Sequence, residues 1–70
     1  MKEYKIPIIY KSVQEFNVSA STLSEAVRTS MELFLSIPDD NYLSLEGVDI
    51  DYIRENYEES IDLDKVMLSL

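Results

Sequence analysis

From Thr22 to Ile37 the chain reads TLSEAVRTSMELFLSI, with apolar residues recurring at helical spacing over about four turns. It is the one segment of the seventy residues with a clear helical period, so the remaining segments must supply a surface that covers its apolar side. Thr22 followed by Glu25 is a capping box: the hydroxyl accepts the amide of residue 25, and the carboxylate reaches back to the amide of Thr22. Winding at about 100° per residue from Leu23 sets Ala26, Val27, Ser30, Leu33, Phe34 and Ile37 on one side. Glu25, Arg28, Thr29, Glu32 and Ser36 fall on the other. Met31 and Leu35 lie between the two faces, where they trim the edge of a small sheet. Ser30 is small enough for close approach to that sheet, with its hydroxyl bonded back along the helix. Pro38 ends the helix, because it drives Ile37 out of the α region and offers no amide for another turn.

The segments before the helix alternate. Tyr4, Ile6, Ile8 and Tyr10 point one way and Lys5, Pro7, Ile9 and Lys11 the other, which predicts a strand over about residues 3–11 facing the helix. Pro7 has no donor, so this strand is either an edge or one whose residue 7 amide position points away from its neighbour. Phe16 and Val18 alternate with Glu15, Asn17 and Ser19 in a second strand over about 14–20. The link near Lys11–Val13 lacks Gly, Asn and Asp, so a looser hairpin connection is expected there.

After the helix, Pro38-Asp39-Asp40-Asn41 is a turn cluster. A third strand is expected over about 42–50, with a bend or bulge at Glu46-Gly47, the chain's one glycine. Asp51 can cap a short helical turn over about 51–58, with Ile53 and Tyr57 on one side. The tail from Ser60 fits either a strand or a helix. The expected architecture is α+β: a small ββαβ domain whose three-stranded, mostly antiparallel sheet carries one main helix on one face, with a short helical C-terminal element.

Length and composition bound the chemistry. A single domain of this size buries about 60% of its unfolded surface, so a homodimer or a larger partner could complete its core. Cysteine and histidine are both absent, which removes disulfides, thiolate metal sites, the commonest general base and the commonest zinc ligand. The opening residues MKEYKIPIIYK fit neither a signal peptide nor a membrane span, and a cytoplasmic location is expected.

Charge is unevenly spread. Residues 1–37 balance four cations against four carboxylates. Residues 38–64 carry Asp39, Asp40, Glu46, Asp49, Asp51, Glu55, Glu58, Glu59, Asp62 and Asp64 against Arg54 alone, a net of minus nine; Lys65 brings the chain to minus eight. Direct binding to nucleic acid or an anionic membrane is disfavoured, and a protein partner with a basic surface is favoured.

The residues YKIPIIY at 4–10, FNVSASTLSEAV at 16–27 and IPDDNYLSLEGVDID at 37–51 together resemble the small DpnD/PcfM-like proteins of bacterial phages, plasmids and restriction-associated loci. The shared pattern is an amphipathic strand, then an alternating strand running into a Ser/Thr-capped helix. A Pro-acidic turn and a final Val-acid-Ile-Asp strand follow. The likeness spans roughly residues 3–55 and is carried by fold-forming motifs. It implies a mobile element in a bacterial host and supplies no catalytic residues.

The carboxylate pairs Asp39-Asp40, Asp49/Asp51, Glu58-Glu59 and Asp62/Asp64 could in principle serve acid–base chemistry. That chemistry needs two environments that push pKa values apart inside a pocket, and a chain with one small core offers little prospect of it. No enzymatic activity and no cofactor are expected. Asp49-x-Asp51 opens like a calcium loop, but Ile53 and Arg54 stand where a ligand and a glycine are needed. Two readings of the acidity remain open. One is a plain solubilising surface. The other is a decoy that binds a bacterial defence or nucleic-acid enzyme through Asp39, Asp40, Glu46, Asp49, Asp51, Glu55, Glu58 and Glu59, with Tyr52 and Tyr57 as aromatic anchors. A third function, of another class, is a structural or regulatory module that self-associates through a sheet edge, the Met31/Leu35 flank or the apolar tail.

Overall fold

A computed structural model of the chain describes residues 1–58. Glu59 and the tail from Ser60, for which the sequence permits helix or strand, lie outside the described residues. Strand β1 (Lys2–Ile9) and strand β2 (Val13–Ala20) form an antiparallel hairpin, followed by helix α1 (Leu23–Ser36). A 3₁₀ turn (Asn41–Ser44), a two-residue strand β3 (Gly47–Val48) and helix α2 (Ile50–Asn56) follow. The sheet order is β2-β1-β3 and all pairing is antiparallel, so the α+β architecture and the single main helix on one face are as expected.

The hairpin is in unbroken register from Lys2 opposite Ala20 to Ile9 opposite Val13. Its three-residue link closes with the Tyr10 amide donating to the Ser12 carbonyl at 2.9 Å, and among the described residues no non-glycine residue takes a positive φ. The alternation puts Tyr4, Ile6, Ile8, Val18 and Ala20 on one face, where α1 covers them. Phe16 and Tyr10 pack against that core at its margin, the Tyr10 ring 5.5 Å from Phe34.

Helix α1 starts where the capping box places it: the Glu25 amide donates to Thr22 Oγ1 at 3.1 Å. The Glu25 carboxylate, however, accepts from the amide of Ser21 rather than of Thr22, one residue further out. The buried residues are Leu23, Ala26, Val27, Ser30, Met31 and Phe34. The stripe is therefore turned from the expected one. Met31 is 1% exposed and belongs to the core, whereas Leu33 is 44% exposed and Ile37 only half-buried. Leu33 and Met31 stand about 80° to opposite sides of the mean direction of Leu23, Ala26, Val27, Ser30 and Phe34, and it is the Met31 flank that is buried. Ser30 does lie flush against the sheet, but its hydroxyl makes no hydrogen bond among the described residues, contrary to the expected bond back along the helix. Ile37 has φ −69° and ψ 126°, the extended geometry that a following proline imposes.

The third strand is much shorter than the expected 42–50. Residues 41–44 wind into a 3₁₀ turn, with the Leu43 amide donating to the Asp40 carbonyl and the Leu45 amide to that of Tyr42. Leu45 then faces the core. Pairing with β1 begins at Glu46, whose amide donates to the Ile9 carbonyl at 2.8 Å while Gly47 is the register partner of Ile9. Two residues thus stand opposite one, the expected bulge, and Gly47 turns it with φ +128°. The ladder stops two residues later. The Asp49 amide donates to the Pro7 carbonyl at 2.9 Å, but Pro7 has no N–H to return the bond. The Asp49 carbonyl instead accepts from the Ile53 amide and opens α2.

Pro7 therefore lies in the central strand, with its missing donor pointing away from β2, the second of the two alternatives its sequence position allowed. The cap of α2 is Asp49, not Asp51: Asp49 Oδ1 accepts the Tyr52 amide at 3.1 Å and the helix begins at Ile50. Ile53 is buried in the common core.

Candidate partner-binding surface

The acidic half divides into carboxylates that hold the fold and carboxylates that face outward. Asp39 belongs to the first group. Its Oδ1 accepts the Asn41 amide at 2.9 Å and its Oδ2 accepts the Asn41 side-chain amide at 3.2 Å, fixing the turn after α1. Asp49 belongs there too, half-buried as the cap of α2. Asp40 precedes the 3₁₀ turn without a side-chain capping bond and is exposed.

Glu46, Asp51, Glu55 and Glu58 are exposed. Within α2, Asp51 and Glu55 are four residues apart and project together, about 180° from buried Ile53. Arg54 is the one cation on that helix. The structure thus gathers Glu46, Asp51 and Glu55 on the β3–α2 side of the sheet, and Glu58 follows two residues after the end of α2.

The expected aromatic anchors are only partly available. The Tyr57 ring packs 5.2 Å from that of Tyr4, tilted at 56°. Its hydroxyl accepts the Lys5 amide at 2.7 Å and lies 3.3 Å from the Lys5 carbonyl, to which it donates. Tyr57 is a structural side chain of the sheet margin, not a free anchor. Tyr52 is half-buried. Among the described residues of this half the exposed apolar side chains are others: Leu43 at 72%, Tyr42 at 52% and Ile50 at 40%. Alternation reasoning missed Leu43 because it assumed a strand. With residues 41–44 wound into a 3₁₀ turn, the inward residue is Leu45 just after it, which leaves Leu43 outside. The turn cluster immediately before Tyr42 was the signal that the chain was still winding.

Among the described residues no group of three or more His, Cys, Asp or Glu side chains is placed to hold a metal ion, and no helix is long and apolar enough to cross a membrane. No protein-family model matches the chain, and neither a curated protein nor a solved structure shows significant similarity to it.

Proposed function

We propose that this chain is a non-enzymatic acidic protein that binds the basic, nucleic-acid-binding surface of a bacterial defence or DNA-processing enzyme and inhibits it. A CRISPR effector or a restriction enzyme is the typical target. The observation that carries this reading is the set of exposed carboxylates Glu46, Asp51, Glu55 and Glu58 on and beside the β3–α2 unit, interspersed with exposed Ile50. Carboxylates in that arrangement meet a lysine- and arginine-rich groove that otherwise receives phosphates, and the apolar side chains Tyr42, Leu43 and Ile50 contribute contacts that charge alone does not. The resemblance of residues 3–55 to proteins of phages and mobile elements supports a bacterial setting, inside the host cell, for such an inhibitor.

The test separates charge that binds from charge that folds. The triple variant Glu46→Lys, Asp51→Lys, Glu55→Lys reverses outward carboxylates and leaves the Asp39 turn and the Asp49 cap intact. Tagged wild-type protein is expected to retain a basic nucleic-acid enzyme from nuclease-treated bacterial lysate at low salt, to release it as salt screens the attraction, and to inhibit it. Loss of both capture and inhibition in the folded triple variant is the expected result. Full inhibition by that variant would overturn the assignment of this surface.

A further inference from the structure

The outer edge of β2 is the second surface of this molecule built to be covered, and we propose that it is covered by β2 of a second copy, in an antiparallel pairing centred on Asn17. The even-numbered residues of β2 bond to β1, as the register Ile6–Phe16 and Tyr4–Val18 requires, because Pro7 and Ile9 direct their carbonyls to β3. The amides and carbonyls of Val13, Glu15, Asn17 and Ser19 therefore point away from the sheet. Sheet edges are ordinarily blunted by proline, lysine, a bulge or a short length. β2 has none of these: it is eight residues long, continuous in register, and free of proline, lysine and arginine. Its outward-facing side chains Val13, Glu15, Asn17 and Ser19 are all exposed.

Charge selects a second copy over the basic partner proposed above. The hairpin carries Lys2, Lys5 and Lys11 against Glu3 and Glu15, and the one carboxylate of β2 is paired with Lys5 at 3.4 Å. The acidic run from Glu46 to Glu58 belongs to β3 and α2, on the far side of β1. Two chains of net charge minus eight can thus meet at β2 while β3 and α2 of each stand at opposite ends of a six-stranded sheet.

The sequence of β2 is also self-complementary in this register. Centring on Asn17 sets Glu15 against the small side chain of Ser19 of the second copy, a serine whose hydroxyl donates to Glu3 of its own chain, and Phe16, half-buried at the core margin, against its Val18. Centring on Glu15 would oppose two carboxylates, and centring on Phe16 would place Gln14 against Val18. The chosen register closes about six backbone hydrogen bonds. With so short a ladder the association is weak, with a midpoint on the order of 0.1 mM.

Sedimentation equilibrium of the full chain reads this directly. The weight-average mass is expected to rise above the 8.1 kDa of one chain as concentration passes the midpoint, and to rise further with added salt, since screening removes repulsion between two acidic chains. Asn17→Lys places two cations face to face at the centre and is expected to hold the protein at one chain mass, with its far-ultraviolet dichroism unchanged. A wild-type protein that remains at one chain mass at 1 mM in high salt overturns the proposal, as does a dimer that survives Asn17→Lys. If that variant fails to fold, amide exchange of the wild-type chain decides. Protection of Glu15, Asn17 and Ser19 that grows with concentration supports the pairing. Amides that are equally fast, or equally protected, at every concentration overturn it.

Discussion

The two margins of this three-stranded sheet are finished differently. On the β3 side, pairing lasts two residues, and three devices then take over. Pro7 has no donor to extend the ladder, Asp49 turns the chain into α2, and the Tyr57 hydroxyl occupies both backbone groups of Lys5 where a further strand would bond. On the β2 side, eight residues run straight with no such device among the described residues. An edge closed by side chains of its own chain cannot accept a strand from elsewhere; an edge left open can. The contrast separates the proposed roles of the two sides: the closed margin carries the acidic display, and the open one is the edge proposed to pair.

Removing the plug should have the largest effect. Tyr57→Ala deletes the ring against Tyr4 and unpairs the Lys5 backbone, and is expected to cost about 2–3 kcal/mol, read as a lower urea midpoint at unchanged slope. Tyr57→Phe keeps the ring and should lose about 1 kcal/mol. If both variants were neutral, the β3 margin would not be closed by this contact and the contrast would fail.

A smaller effect is expected from Asp49→Ala, which removes the cap that turns β3 into α2. Loss of a cap is worth about 1 kcal/mol. Amide exchange should show that loss concentrated in residues 50–56, with the β1–β2 ladder unchanged. The smallest expected change in stability is that of Glu15→Gln, under about 0.5 kcal/mol, because the pair with Lys5 is exposed. The same substitution removes the last charge from the open edge, so sedimentation should show more dimer, not less. A shift toward monomer would contradict the register centred on Asn17.

What could be seen in the sequence followed from period and local chemistry. The capping box, the proline stop and the alternation of residues 4–10 and 14–20 are local signals, and the elements they predict lie within one or two residues of those observed. The third strand fell short at both ends: residues 41–44 wind into a 3₁₀ turn, and at the C-terminal end its length depends on its neighbour. Nothing between Asn41 and Asp49 says that Pro7, more than thirty residues earlier, lacks the donor that a longer ladder needs. One non-local contact and one local one decided the candidate surface. Tyr57 looks like an anchor until Lys5 is brought to its hydroxyl, and Asp49 looks like one acid among many until the Tyr52 amide meets it. Leu43 was hidden for a related reason, since its exposure depends on Leu45 facing the core.

Gly47 poses a question of handedness rather than room. A Cβ built there meets nothing within 4 Å, yet its φ of +128° is one that L residues rarely adopt. The bulge therefore demands a mirror-image backbone, and glycine is the one encoded residue that supplies it freely. Chemical synthesis can separate the two constraints that mutagenesis confounds. L-Alanine at position 47 keeps the space and strains the torsion, whereas D-alanine relieves the torsion and narrows the unfolded ensemble. Opposite signs of stability change for two enantiomers of one side chain would show that this bend is selected by chirality alone.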